Sequence, residues 1–272
     1  TSRFSSVRFP SVHPFTSNYR LHVMLRSGRL LFSLFLLSGW ACSRPALQRV
    51  QLQEYVFSDS TYTTQDPKIE GRIAPYRDSL NRSMARVLAE SAQPLEKKQP
   101  EGKLGDFVAD ACLQEAATLT RETIDLALFN HGGLRRSLPM GAITLGDVYE
   151  LMPFDNELVV ITLRGSKLLE LLNHVASTGG APVSGLRMLI SSNLADSVRI
   201  GGEPLDTSRT YRVLTSDYLA NGGDRYTAFA DALGKEELRL RVRDAIVQRL
   251  EKLGQQRQTL VVTLDGRIQH AE

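Results

Sequence analysis

From about residue 48 onward, the spacing of apolar and polar positions divides the chain into extended and helical segments. Residues 48–57 alternate with period two, as a half-buried strand does, and 58–67 are polar and turn-rich. Residues 74–92 predict a helix with Leu80, Met84, Val87 and Leu88 on one face. A charged, proline-containing connection over 93–102 leads to a second amphipathic helix, 104–120, whose buried side carries Phe107, Val108, Ala111, Cys112 and Ala116. A short strand over 124–129 runs straight into Asn130-His131-Gly132-Gly133-Leu134-Arg135. Thr144-Leu145-Gly146-Asp147 has the form of a capping box with aspartate in place of glutamate, and opens a brief helix that ends near Met152-Pro153-Phe154. Residues 158–163 are rich in β-branched side chains and predict a strand. Residues 165–177 predict a helix facing inward through Leu168, Leu169, Leu172 and Val175. Strands near 185–191, 196–201 and 210–216 follow, then a glycine-rich turn at 221–224, a long helix over 235–253 and a final strand at 259–264. Helices and strands interleave, and several strands succeed one another through short turns. That pattern favours an α+β domain, a mixed β-sheet core covered by helices, over a doubly wound parallel sheet.

The first forty residues are of a different kind. Residues 1–41 hold five arginines (Arg3, Arg8, Arg20, Arg26, Arg29) and no acid, and 30–37 are almost wholly apolar. Basic residues, a short apolar run and then small residues are the layout of a secretory signal. The run is well short of the roughly 20 residues that a bilayer span needs. Ser38-Gly39-Trp40-Ala41-Cys42 resembles a bacterial lipobox, with Gly39 where Leu is usual, and the resemblance implies lipidation at Cys42. An ordinary signal peptide with an incidental cysteine is the alternative. Met24 stands just before Arg26 and Arg29, so 1–23 also read as an upstream extension. The expected organisation is a leader over 1–42 and one domain over 43–272. The expected location is outside the cytoplasm, held to a bacterial membrane by a lipid anchor on the periplasmic or outer-membrane face.

The leader also changes the charge balance. The whole chain is net +3, but without those five arginines the 33 basic residues become 28, against 30 acidic ones. A nucleic-acid footprint needs a basic face on the folded domain, and this balance gives no support for one. With Cys42 lipidated, Cys112 has no disulfide partner, and its apolar setting marks it as a small buried hydrophobe rather than a nucleophile.

Three segments carry candidate chemistry. In the 130–135 loop, Gly132 and Gly133 let backbone approach a ligand closely, and Arg135 offers a planar fork suited to phosphate. A tight turn with Arg135 and Arg136 merely solvated is the plainer reading. Met152-Pro153-Phe154-Asp155-Asn156 places a phenylalanine where a helix yields to an extended run, and such a residue is usually core. Asp217-Tyr218-Leu219-Ala220-Asn221-Gly222-Gly223-Asp224 joins an aromatic ring to a flexible turn and an acid. There Tyr218 has a face for a base and Asp224 acceptors for a ribose diol, or Tyr218 ends a strand and Asp224 caps a turn.

Taken together, and in this order, the three phrases resemble the 5′-nucleotidase C-terminal domain family. Its recurring wording is Asn-x-Gly-Gly-(Ile/Leu)-Arg, Pro-Phe-x-Asn, and an aromatic followed by Asn-Gly-Gly-Asp. Leu104-Gly105-Asp106-Phe107-Val108-Ala109-Asp110-Ala111 also looks like the family's first helix, and the likeness covers roughly residues 48–265. The resemblance implies a nucleotide or nucleoside site. Phe154 and Tyr218 would sandwich the base, Asn130 would bond near it, Gly132 and Gly133 would shape the loop, Arg135 would hold phosphate, and Asp224 would bind ribose hydroxyls. Tyr218 stands where the family often has Phe. Relatives also bring an arginine from just before the first helix; Lys97-Lys98-Gln99-Pro100 occupy that place, with Lys98 as a point-charge substitute.

In that family the hydrolysis belongs to an N-terminal metallophosphatase domain with two metal ions. His131, His174 and His270 are the histidines beyond the leader, and none stands in an Asp-x-His or Gly-Asn-His context. His131 reads as a loop residue, His174 as a helix-face residue and His270 as part of a mobile tail. No catalytic residue, metal ligand or cofactor is therefore expected in this chain. The resemblance then implies the recognition part of a 5′-nucleotidase, with divalent metals on a separate metallophosphatase chain. The alternative is a non-enzymatic lipoprotein that binds nucleosides or nucleotides for capture or uptake.

Overall fold

A computed structural model of the chain describes residues 66–271. The alternating run at 48–57 and Cys42 lie outside the described residues. The first element, α1 (Pro67–Met84), starts where the chain supplies a complete start signal: Asp66 caps it by accepting from the Lys68 N–H at 2.8 Å, and Pro67 stands at its first position. It ends ahead of Val87, so the helix expected over 74–92 is corrected at both ends. Residues Val87–Ser91 form strand β1 instead, because they pair on both sides. Leu88 is buried there, whereas Leu80 stays exposed on α1. Tertiary pairing overrides a helical periodicity that runs on across the break.

The elements that follow are α2 (Lys103–Ala116), β2 (Leu126–Leu128), β3 (Gly141–Thr144), α3 (Leu145–Leu151), β4 (Glu157–Arg164), α4 (Gly165–Ser177), β5 (Val183–Ser184), β6 (Leu186–Ser191), β7 (Leu194–Ile200), β8 (Glu203–Pro204) and β9 (Thr210–Ser216). The chain closes with α5 (Asp217–Ala220), β10 (Gly234–Arg241), α6 (Val242–Gln255), β11 (Thr259–Leu260) and β12 (Ile268–His270). The capping box at α3 is complete. Thr144 Oγ1 accepts from the Asp147 N–H at 3.2 Å, and Asp147 accepts from the Thr144 N–H at 2.8 Å.

Two more expectations need correction. The helix read over 235–253 is half strand: 234–241 form β10, an edge strand whose charged side chains face outward while Leu238 and Leu240 pack on the core. Alternating charge suits an exposed edge, but charges at this spacing also imitate a helix. The final strand is shorter than 259–264, and His270 belongs to β12, paired with Ile190 of β6, rather than to a mobile tail.

The strands make a five-stranded sheet in the order β10-β4-β9-β2-β5, a three-stranded sheet β11-β1-β3 and a four-stranded sheet β12-β6-β7-β8. In the central sheet β2 and β9 are parallel and the other pairs antiparallel, so the core is a mixed sheet as the pattern of elements predicts. Its two faces feed two cores, and the strands show it residue by residue. Leu158, Val160, Leu214 and Ala127 join α2, α3 and α6 on one side. Val159, Ile161, Leu163, Val213, Leu126 and Leu128 join α4 and β6 on the other. This period-two sorting is what a sheet covered on both faces requires. In α2, Phe107, Val108, Ala111, Cys112 and Ala116 are all buried as expected, and burial pushes the Cys112 thiol far above its usual range.

At the foot of α2 lies a buried carboxyl group. Asp106 is 2% exposed, its Oδ2 has no hydrogen-bond partner among the described residues, and the Arg267 Nε stands 3.8 Å from its other oxygen. Burial raises its pKa to about 7; Arg267 opposes that shift, and Glu101 adds to it. The folded protein therefore keeps a proton that an unfolded aspartate loses near pH 3.8. The stability this proton confers is fully present below that pH and is lost as pH rises through 7. We expect Asp106→Asn to gain thermal stability relative to the wild type between pH 5 and pH 8, by on the order of 1–3 kcal/mol. Melting curves of both proteins over that range test it, and a constant difference in melting temperature would contradict it.

Candidate functional site

Strand order brings the three candidate segments together. Because β2 runs parallel to β9, the chain leaves both strands at the same end of the sheet. β2 leads through Phe129 into the 130–135 loop, and β9 leads into α5 with Tyr218. β4 lies antiparallel to β9, with Leu158 opposite Ser216, so the chain enters β4 at that same end. Phe154 and Asn156 immediately precede it. The Glu157 N–H donates to Asp217 Oδ1 at 3.2 Å and ties the second segment to the third.

At this sheet end is a cavity of about 300 Å³ lined by Asn130, Gly132, Gly133, Arg135, Phe154, Asn156, Tyr218 and Asp224. All seven residues singled out in the sequence stand around it, and Asn156 joins them. A larger hollow of about 670 Å³ lies elsewhere, between β1 and the end of α6. It gathers none of these side chains.

Asp224 is the centre of the arrangement. Its Oδ2 accepts from Asn130 Nδ2 at 2.5 Å and its Oδ1 from the Tyr218 hydroxyl at 2.8 Å. The carboxylate thus joins the loop after β2 to the turn after β9, and this bond raises the Tyr218 phenol above its usual pKa. A carboxylate has about four acceptor positions, so two remain for a ligand. The turn that aims Asp224 is held in an unusual conformation. Gly222, Asp224 and Arg225 all have positive φ (87°, 50° and 65°), a region aspartate tolerates better than most residues. His174 Nε2 lies 3.0 Å from the Asp224 carbonyl oxygen, and its ring meets Tyr226 edge-on at 4.7 Å.

The glycines have specific reasons. A Cβ on Gly132 would sit 3.1 Å from Asn130 Nδ2, and one on Gly133 3.2 Å from Asn130 Oδ1, so the pair makes room for the asparagine. A Cβ on Gly223 would come within 2.5 Å of the Tyr218 ring. Phe154 and Tyr218 are 39% and 44% exposed, while Tyr226 and Phe229 just beyond are 4% and 2%. Exposure on that scale separates aromatic rings presented to a cavity from rings spent on the core. Arg136 pairs with Glu150, but among the described residues no carboxylate forms an ion pair with Arg135.

One supporting residue escaped the sequence reading, and another stands one position from the residue it favoured. Arg243 is 5% exposed; it donates to the Met152 and Phe154 carbonyl oxygens at 3.2 and 3.3 Å and to Asp155 at 2.5 Å. Its guanidinium also lies 4.3 Å from the centre of the Tyr149 ring, so it fixes the segment that presents Phe154. Nothing in its spacing sets it apart from the other charges of 235–253. Lys97, rather than Lys98, reaches the loop, donating to the Leu134 carbonyl oxygen at 3.3 Å. Burial, with Lys97 nearby, lowers the His131 pKa to about 4, so that ring is neutral.

Gly223→Ala tests how the ring is seated. The ring stands at the surface and is free to swing aside, so the stability cost should stay within about 1 kcal/mol. The Tyr218–Asp224 bond should be lost, seen as a shift of the Tyr218 ring resonances matching that in Asp224→Asn. An unmoved ring would contradict this packing.

Comparisons with known proteins agree with the geometry. The trifunctional nucleotide phosphoesterase protein of Bacillus subtilis is 34% identical over 170 residues, 57% of this chain and 12% of its own length. The 5′-nucleotidase of Vibrio cholerae is 34% identical over 136 residues, 48% of this chain and 24% of its own. Among solved structures, the 5′-nucleotidase precursor from Thermus thermophilus superposes with a TM-score of 0.65 at 30% identity, over 74% of this chain and 42% of that one. The chain thus spans less than half the length of each of these relatives. The family described as "5′-nucleotidase, C-terminal domain" matches residues 84–231, which takes in every residue around the cavity. The chain belongs to the 5′-nucleotidase C-terminal domain family.

Proposed function

We propose that this chain recognises the nucleotide in a 5′-nucleotidase reaction, and that a metallophosphatase site on a separate chain removes the phosphate. The observation that carries this reading is the convergence of Phe154, Tyr218, Arg135, Asn130 and Asp224 on one cavity. Two exposed aromatic faces suit a base, and stacking is worth about 1–3 kcal/mol per base. Asp224 keeps two acceptor positions for the ribose diol. Arg135, unpaired among the described residues, is free to hold phosphate as a bidentate partner. Binding the nucleoside here positions the phosphate for attack elsewhere, and fixed placement contributes much of a hydrolytic rate. The two metals that activate water and stabilise the leaving oxygen belong, in this reading, to the partner. The chain itself is exported and held to the membrane by lipid on Cys42.

Calorimetric titration of residues 43–272 with AMP and adenosine tests recognition. Both should bind. Phe154→Ala should weaken both by roughly 5- to 150-fold, the equivalent of about 1–3 kcal/mol. Arg135→Ala should weaken AMP and leave adenosine unchanged; equal losses for the two ligands would remove the phosphate role. The same preparation should release no phosphate from AMP with divalent metal, and should support release when a metallophosphatase chain is added. Turnover by the chain alone would contradict the division of labour. Binding with no turnover beside any partner would favour a capture protein. For the anchor, Cys42→Ser should move the protein from the membrane fraction to the soluble one.

A further inference from the structure

Glu101 stands just ahead of α2, Asp106 in its first turn, and Asp265 in the loop between β11 and β12. One carboxylate oxygen of each lies within 4.8 Å of those of the other two. None of the three lines the cavity around Asp224. Asp106 is buried, and its Oδ2 has no hydrogen-bond partner among the described residues. A buried carboxyl oxygen in that position is costly, because it has left water without gaining a partner.

The neighbouring arginines do not supply one. Arg267 commits its donors elsewhere: Nη1 and Nη2 to Asp110, both at 2.8 Å, Nη1 also to the Val183 carbonyl oxygen at 2.7 Å, and Nε to Asp265 Oδ1 at 2.9 Å. It passes Asp106 at 3.8 Å without donating to it. Arg187 donates to Asp265 Oδ2 at 2.7 Å. Glu101 Oε1 accepts from the Asp265 and Gly266 N–H groups, both at 3.1 Å, which draws the loop onto the start of the helix. Asp110 and Asp265 are thus each matched by a guanidinium. Glu101 and Asp106 lie side by side, and no cationic side chain among the described residues donates to either.

We propose that Glu101, Asp106 and Asp265 bind one calcium ion, which ties the start of α2 to the loop before β12. Donors that are all carboxylate oxygens select a hard cation over zinc or copper. Calcium–oxygen bonds run about 2.3–2.6 Å, so a single ion reaches oxygens spread as widely as these. Magnesium holds its ligands at about 2.0–2.1 Å in a stricter octahedron, a tighter fit than this spread offers. The two carboxylates left without a guanidinium match the charge of a divalent ion. Asp265 is the weakest of the three ligands, because Arg187 and Arg267 both draw on it. Its side chain is 44% exposed, which opens the site to the waters that complete calcium coordination. Without the ion, a proton on Asp106 takes its place. This proposal does not depend on the nucleotide reading.

The full chain, stripped with a chelator and buffered near pH 8, is titrated with calcium chloride by calorimetry and melted with and without calcium. One ion should bind per chain, and the melting temperature should rise. Asp106→Asn and Glu101→Gln should each weaken calcium binding by about tenfold or more, the loss of a charged ligand, and should abolish the rise. Glu203→Gln, at an exposed acid on β8, should change neither. Asp106→Asn should melt above the wild type without calcium, and calcium should narrow or reverse that gap, which separates a lost ligand from a damaged fold. Absence of calcium uptake, or uptake without a shift in melting temperature, overturns the proposal. So does wild-type uptake by Asp106→Asn, which assigns the ion to exposed acids elsewhere. Tighter binding of magnesium than of calcium overturns the choice of ion.

Discussion

The pairing of three neighbouring strands determines whether there is a site at all. β2 and β9 run parallel and β4 runs antiparallel between β9 and β10, so two chain exits and one chain entry share one end of the central sheet. Reversing any one of these strands would send its loop to the opposite end. The register is tightly specified because both faces of this sheet are buried. A slip of one residue would exchange Val159 and Ile161 for Leu158 and Val160 between the two cores. Packing energy on both faces therefore holds the loops in place without any contribution from a ligand.

Within that frame, the Asp224 carboxylate completes the cavity. It accepts from Asn130 in the loop after β2 and from Tyr218 in its own turn, and both donors are neutral side chains. On the proposed reading, a ligand hydroxyl would meet an acceptor already fixed in place, which lowers the ordering cost of binding. The strained turn at Gly222, Asp224 and Arg225 and the buried Arg243 are the structural support for this preorganisation. Arg135 is the one basic side chain of the lining and has no ion-pair partner among the described residues, which on the proposed reading leaves it able to follow a phosphate.

Much of this was legible in the sequence, for definable physical reasons. Strands buried on both faces, β-branched and flanked by turns, were readable at 158–163 and 210–216. The capping box at Thr144 and Asp147 was readable because its two bonds are local. The phrases around Asn130, Phe154 and Asp224 marked residues that the fold brings to one cavity, but their proximity was not deducible from spacing, since it depends on strand order. The failures fall where tertiary pairing competes with local pattern. Residues 87–91 and 234–241 look helical until β3, β11 and β4 supply partners. Asp66-Pro67 was a start signal hidden in a polar stretch. Arg243, and the choice of Lys97 over Lys98, were illegible for another reason: their bonds go to carbonyl oxygens of distant loops, and a sequence shows charges without showing what they face.

The central claim is that Asp224, by joining the loop after β2 to the turn after β9, completes the proposed nucleoside-binding site. It is tested most directly by calorimetric titration of Asp224→Asn with adenosine and AMP, alongside spectra confirming an unchanged fold. The substitution removes the charge and one acceptor while preserving the shape. We predict a loss of about tenfold or more for both ligands, consistent with a charge-assisted hydrogen bond of about 1.5–3 kcal/mol. Wild-type affinity for both in a correctly folded variant would contradict the account.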